Sequence, residues 1–387
     1  MSADSADAPT RLSALDGLRG IAALIVVAHH VVRVIPDVAV NFLHAGDVPA
    51  VGSWLWWLQY SPLKVLTAGP ESVLVFFVLS GFVLSLAPFT RDRFDWISYM
   101  PRRVVRLFVP TVAAVVFAAA LILIVPRYAS SVHGPWLAGL FDVAVTPRTV
   151  LTDATILFGA PFRIDGVMWS LVWEVWFSLL LPLFIAVVVL CRRFWWISVI
   201  IAFGASTVGV VLHQEWLIYL PVFLLGVALA RGAGDLRVLA ARVDALRYGT
   251  AVWWMLLAVG MVAIISRWMI IDQLPRNHVL DVLAFPITAL GAALVTACCA
   301  FWGGSSRFLT WKPVAWLGRV SFSLYLVHLP IVLSTAFLIG DEHWLRVAAI
   351  SVPLSLLTAW GFYKVVEAPA HRLSVRVGRM TARAWTS

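Results

Sequence analysis

Residues 15–32 read LDGLRGIAALIVVAHHVV, a polar opening followed by an apolar run with two histidines in its interior. The run from Gly20 to Val34 has no small-residue cleavage site, and the preceding MSADSADAPTR has no basic n-region. It therefore reads as a retained membrane helix and not as a secretory signal. Ionisable groups inside such a span are costly to bury, so each is a functional candidate. Arg19 and His30 are eleven positions apart. At the helical repeat this is three turns plus about 20°, so both lie on one face, about 16 Å apart along the axis. His29 points about 100° away from that face. An imidazole at mid-depth is the side chain best suited to take a proton near neutral pH. The plain alternative is that His30 hydrogen-bonds a neighbouring helix while Arg19 snorkels to phosphate headgroups.

The rest of the chain has the same character. Of 387 residues 61% are hydrophobic and 13% charged, with a mean hydropathy of +0.92. A soluble domain is near half apolar and a quarter charged, which excludes an ordinary soluble enzyme. The net charge of +9 does not indicate nucleic acid, because the basic residues are scattered between apolar runs, where they set orientation. Twenty tryptophans suit a protein with many membrane–water boundaries. Cys191, Cys298 and Cys299 form neither a disulfide framework nor a zinc pattern.

Ten spans are predicted, near 18–36, 66–87, 106–125, 167–190, 194–212, 216–231, 249–270, 280–302, 314–339 and 344–363. The fold class is thus all-α: a polytopic membrane protein of about ten helices. With the N-terminus inside, 20 of the 29 Lys and Arg residues fall on one side and eight on the other, with Arg319 just inside the ninth span. That split puts both termini in the cytoplasm and needs an even number of spans. It gives a short cytoplasmic N-terminus (1–17), a membrane domain (18–363) and a basic cytoplasmic tail (364–387). The long external segment from Pro126 to Asp165 has two readings. In one, residues 136–145 lie on the membrane surface and 151–162 dip into it; in the other, the segment forms a helix hairpin.

Further candidates sit in or beside the other spans. Ser80-Gly81 is a small-residue contact point in the second. Arg102, Arg103 and Arg106 follow on the cytoplasmic side, either as an orientation signal or as partners for a phosphorylated ligand. In the fourth, Ser170 and Glu174 are i and i+4 and share a face. Glu174 is about 9 Å below the outer boundary, too deep to lack a partner or a water-filled cavity. In the ninth, Tyr325 and His328 are i and i+3. A structural hydrogen bond is the competing reading for each pair. Glu367-Ala368-Pro369 reads as the end of the last helix. No HExxH, CxxC or histidine pair at metal spacing occurs, so no metal is expected. The absence of a GxSxG elbow and of a Walker loop sets aside a serine hydrolase and an ATPase.

Taken together, LDGLRGIAALIVVAHH (15–30), VLVFFVLSGFVLS (73–85), RRVVRLFVP (102–110), MWSLVWEVWFSLLLPL (168–183) and LGRVSFSLYLVHLPI (317–331) resemble the acyltransferase 3 family of membrane O-acyltransferases. The resemblance spans residues 11 to 369, and the family's pattern of Arg, ten residues and His falls on Arg19 and His30. It implies a ten-helix fold with cytoplasmic termini; the content of alanine, arginine and valine suggests a GC-rich bacterium, so the expected location is a bacterial inner membrane. It also implies an acyl-CoA donor, acetyl-CoA first, and a carbohydrate or glycolipid acceptor of the cell envelope. His30 would be the general base, and Arg19, Arg103 and Arg106 would engage the donor's phosphates. Asp16, Ser170, Glu174, Tyr325 and His328 would orient His30 or the acceptor. No cofactor is implied beyond the donor substrate. The chain departs from the family at Trp173 and Val175-Trp176 around the glutamate, and at Ala368 between Glu367 and Pro369. These leave the acceptor open. Two other classes compete: a transporter of a lipid-linked or acylated envelope carbohydrate, and a scaffold in which His30 is structural. The chain shows no internal repeat and no matched pair of Gly/Pro-broken helices, which weakens the transporter.

Overall fold

The computed structural model describes residues 4–43, 49–90, 93–128, 132–140, 142–157, 162–191, 194–270 and 278–386. Of the described residues 85% are helical, and no strand occurs among them. The helices are α1 (Asp4–Val32), α2 (Pro36–Leu43), α3 (Trp54–Tyr60), α4 (Gly69–Thr90), α5 (Trp96–Ile124), α6 (Pro135–Ala138), α7 (Pro147–Ala154) and α8 (Met168–Leu190). They continue as α9 (Ile197–Leu212), α10 (Glu215–Arg231), α11 (Ala233–Asp244), α12 (Gly249–Ile270), α13 (His278–Phe301), α14 (Gly303–Leu309), α15 (Lys312–Ile339), α16 (Trp344–Phe362) and α17 (Ala368–Thr386).

Each of the ten expected spans falls on one of these helices. Among the described residues, eight helical segments are long and apolar enough to cross a membrane. α10 and α11 together make a ninth, bent by 69°, and α9 is a shorter apolar helix of 16 residues. The break falls at Gly232, where a Cβ would lie 2.3 Å from the Trp195 ring. That indole donates to Asp235 Oδ2 at 3.0 Å. Many apolar side chains on the long helices are exposed, Leu190, Leu183, Ile124 and Trp254 among them, as expected of surfaces that face lipid. The protein is therefore an all-α, multi-pass membrane protein.

The chain divides into two compact units. The first comprises Met1–Ile25, Trp57–Phe94 and Leu180–Arg319, and the second Val26–Trp56, Asp95–Leu179 and Val320–Ser387. In the first unit glycines set the helix spacing, because lipid offers no hydrophobic drive and backbones must approach closely to gain packing. A Cβ on Gly81 of α4 would sit 2.2 Å from Phe223 O of α10, and one on Gly226 would sit 2.1 Å from Val78 O. The Ser80-Gly81 contact point is thus a packing site. Phe77 and Phe223 stack beside it with ring centroids 4.4 Å apart.

In the second unit one sequence expectation needs correction, and one of two alternatives is set aside. Glu367-Ala368-Pro369 does not end the last helix. The chain passes through a π turn, Tyr363–Glu367, and continues as α17. Pro369 lies in the first turn of α17, where a missing N–H is tolerated. α17 packs along α5, with Gly378 so close to Arg102 that a Cβ would meet its Cγ at 2.4 Å. The described part of the external segment forms no helix hairpin. It holds only the short α6 and α7, which pack against α2 and α5. Residues 158–161 lie outside the described residues.

Candidate active site

The site is built within the second unit. His30 lies in the last turn of α1, in a β-branched run that is helical because its burial outweighs modest propensity. His30 Nδ1 is 3.0 Å from Val26 O, one turn back, and 3.0 Å from His328 Nε2 on α15. His328 is fully buried, and its Nδ1 is 2.9 Å from Leu324 O. A carbonyl oxygen only accepts, so Nδ1 of each ring carries the proton. His328 Nε2 then accepts from His30 Nδ1, which it shares with Val26 O. This assignment leaves the lone pair of His30 on Nε2, where a base needs it. His29 packs edge-on against His30 with centroids 5.2 Å apart.

Two residues outside the motifs close on His30. Trp136 of α6 stacks on its imidazole at 6.1 Å and an interplanar angle of 26°. The Arg33 guanidinium lies 4.5 Å from the Trp136 ring centroid, a cation–π arrangement.

The pairs expected from helix spacing resolve differently. Ser170 and Glu174 do not bond one another. The Ser170 hydroxyl is 2.6 Å from Tyr325 Oη, and Tyr325 also donates to Val167 O at 3.1 Å. Tyr325 and His328 do share a face, with ring centroids 6.0 Å apart. Glu174 has the partner its depth demanded: Arg103 Nη2 donates to Oε1 at 2.7 Å. Arg103 also donates from Nε and Nη2 to Ser178 Oγ at 3.1 and 2.9 Å, and the pair is largely buried. The carboxylate therefore couples to Arg103, while the His30 imidazole couples to His328. Arg106 is exposed, as is Arg102, and both face His371 of α17. Asp16 and Arg19 belong to the first unit, where Gly17 and Gly20 press against the backbone of Leu309 and Gly318. There Asp16 is exposed and Arg19 half-buried.

Beside Tyr325 lies a buried acidic pair. Asp153 Oδ2 accepts from the backbone N–H of Ile164 at 2.8 Å and of Asp165 at 3.2 Å. Asp165 Oδ1 accepts from Val167 N at 3.4 Å, whereas its Oδ2 is buried without a hydrogen bond. Burial pushes the Asp165 carboxyl well above its ordinary range, and the Asp153 charge adds to this. Burial also raises Asp153, against its backbone hydrogen bonds. Among the described residues, no three His, Cys, Asp or Glu side chains gather in a way that could hold a metal.

Sequence reasoning missed Trp136, Arg33, Ser178 and Asp341. Asp341 follows Gly340, whose φ of 90° turns the chain at the end of α15. The carboxylate is fully buried and accepts from the backbone N–H groups of His133 and Gly134, each at 2.7 Å. A helix-end glycine followed by an acid is a weak signal, and Trp136 lies in a stretch with no periodicity to read.

Comparison with known proteins places the chain in a family. The family model described as an acyltransferase domain matches residues 12–364. Acyltransferase MdmB of Streptomyces mycarofaciens is 27% identical over 405 aligned residues, covering 94% of this chain and 92% of that protein. O-acetyltransferase PaAT-1 of Phomopsis amygdali is 31% identical over 144 residues, 32% of this chain and 25% of that protein. No solved structure matches. A helical membrane protein that carries the Arg19 and His30 helix, and that matches the acyltransferase model over nearly its whole length, belongs to the acyltransferase 3 family.

Proposed function

We propose that this protein transfers an acyl group, acetyl before longer chains, from cytoplasmic acyl-CoA to a hydroxyl of a carbohydrate or glycolipid acceptor, with His30 as general base. The observation that carries the reading is the hydrogen-bonded histidine pair, because it leaves His30 Nε2 unprotonated beside a partner that fixes the ring. Nε2 takes the proton of the acceptor hydroxyl as the oxygen bonds to the thioester carbonyl carbon. The tetrahedral intermediate collapses, the C–S bond breaks, and the imidazolium returns its proton to the departing CoA thiolate. An O-acetyltransferase among the similar proteins supports both the oxygen nucleophile and the acetyl group.

Arg19 and Arg106 remain the proposed contacts for the donor's phosphates. Arg103 holds Glu174 in place, since its Nη2 donates to that carboxylate while its Nε is engaged by Ser178. The charge split supports cytoplasmic termini, and the membrane proposed is a bacterial plasma membrane. The test is mass spectrometry of ester-linked acyl groups on envelope glycans and glycolipids. It compares cells with the intact gene, without it, and with His30→Ala restored. An ester lost in the deletion and not restored by the variant supports the reading. Restoration removes His30 as the base, and altered export without thioester turnover favours a transporter.

A further inference from the structure

Asp341 and Trp136 have no part in the step just described, yet they form one continuous connection to it. The Asp341 carboxylate is buried at the start of the short turn that leads into α16. Its Oδ2 receives two backbone N–H groups, from His133 and Gly134, and its Oδ1 lies 3.1 Å from His133 Nδ1. These three contacts are made to the residues that immediately precede α6. Two residues beyond Gly134, Trp136 stacks on the His30 ring and carries the Arg33 guanidinium on its own ring.

Packing favours a single position for this segment. A Cβ on Gly134 would be 3.2 Å from Pro36 Cα and 3.3 Å from Asp341 Oδ2, so nothing larger than glycine fits without movement. The neighbouring Leu137 is buried. Arg127 Nη1 donates to Leu140 O at 3.1 Å and so holds the far end of the segment. The Arg127 guanidinium is itself seated 5.2 Å from the Phe337 ring centroid, on the helix that bears His328. Two anchors therefore hold a four-residue helix whose tryptophan lies against the proposed base. A carboxylate receiving two N–H groups at 2.7 Å is a strong, directional contact, and burial makes it costly to lose.

We infer that Asp341 is a positioning residue for His30: by clamping the backbone at His133 and Gly134 it holds Trp136 against the imidazole and keeps Nε2 aimed at the acceptor. His328 fixes the ring from the Nδ1 edge and Trp136 fixes it from the face, so the two restrict different rotations. The inference rests on the reading of His30 as the base.

The test is a double-mutant cycle on purified, reconstituted protein, with acetyl-CoA as the donor and rates normalised to folded protein by size-exclusion chromatography. Asp341→Asn and Trp136→Ala are each expected to lower kcat about tenfold or more, with the donor KM unchanged. The double variant should be no slower than Trp136→Ala alone, and Trp136→Phe should recover most of the rate. Multiplying effects would mean that Asp341 does not act through Trp136. Failure of Asp341→Asn to fold would make it a residue of the fold alone. Either outcome overturns the inference. His30→Ala is measured in parallel. If that variant stays active, the base assignment fails, and the cycle still reports whether Asp341 and Trp136 are coupled.

Discussion

His30 Nδ1 and His328 Nε2 lie 3.0 Å apart, and each ring is also tied to a carbonyl of its own helix, Val26 O and Leu324 O. The two carbonyls decide the tautomers, because a carbonyl can only accept. His328 is thereby an acceptor toward His30, the role a carboxylate fills in a hydrolase triad, but without a negative charge. A neutral acceptor orients the ring and avoids placing a second charge in the span.

This relationship predicts an order among substitutions at position 328. His328→Ala removes the acceptor and is expected to lower kcat by about 10²–10⁴. His328→Gln offers an amide oxygen and should retain clearly more activity than Ala. Steady-state kinetics on folded protein checks this. Equal losses in the two variants would show that acceptor geometry is not what His328 provides.

The Arg103–Glu174 pair predicts an asymmetry in stability. Breaking a buried ion pair from one side leaves an uncompensated charge, at a cost of about 3–5 kcal/mol. Arg103→Ala should therefore lower the thermal midpoint in detergent more than Arg103→Ala combined with Glu174→Gln. A double variant less stable than the single one would contradict the pairing seen at 2.7 Å.

Asp165 predicts a dependence on pH. Its carboxyl has an ordinary pKa near 3.8 when unfolded and one well above that when folded. Folding is thus favoured most below the unfolded value, and this contribution falls as pH rises through the folded one. Asp165→Asn removes the titration and keeps an oxygen for Val167 N. The variant's thermal midpoint, measured relative to the parent, should rise from pH 4 toward neutrality. A difference that is flat or falling with pH would contradict the assignment.

Gly81 and Gly361 make a matched pair of tests for the packing. A Cβ at Gly81 meets a backbone oxygen at 2.2 Å, whereas one at Gly361 meets nothing within 4 Å. Gly81→Ala should lower the thermal midpoint, because the helices must move apart. Gly361→Ala should leave it unchanged or raise it by the equivalent of up to about 1 kcal/mol. Comparable behaviour of the two would contradict the close approach of α4 and α10.

Much of the fold was legible because a membrane span is written in consecutive apolar residues. All ten expected spans fall on helices, and His30 was singled out by its place within one. Tertiary partners were not legible. Helix spacing suggested Ser170 with Glu174, but each turns to another helix, Ser170 to Tyr325 and Glu174 to Arg103. A shared face allows contact without requiring it. The last helix runs on past Pro369 because a π turn realigns it ahead of the proline. Trp136 and Asp341 stayed hidden because their contact joins positions more than 200 residues apart through the backbone of His133 and Gly134.

The measurement that bears most directly on the central claim is acetyl-CoA thioester turnover by purified protein in lipid vesicles supplied with envelope glycan extract. It compares the parent with His30→Ala at equal amounts of folded protein. The account predicts acceptor-dependent release of CoA thiol by the parent and a loss of about 10²-fold or more in the variant, with unchanged thermal stability. Undiminished thiol release by a folded His30→Ala protein would contradict it.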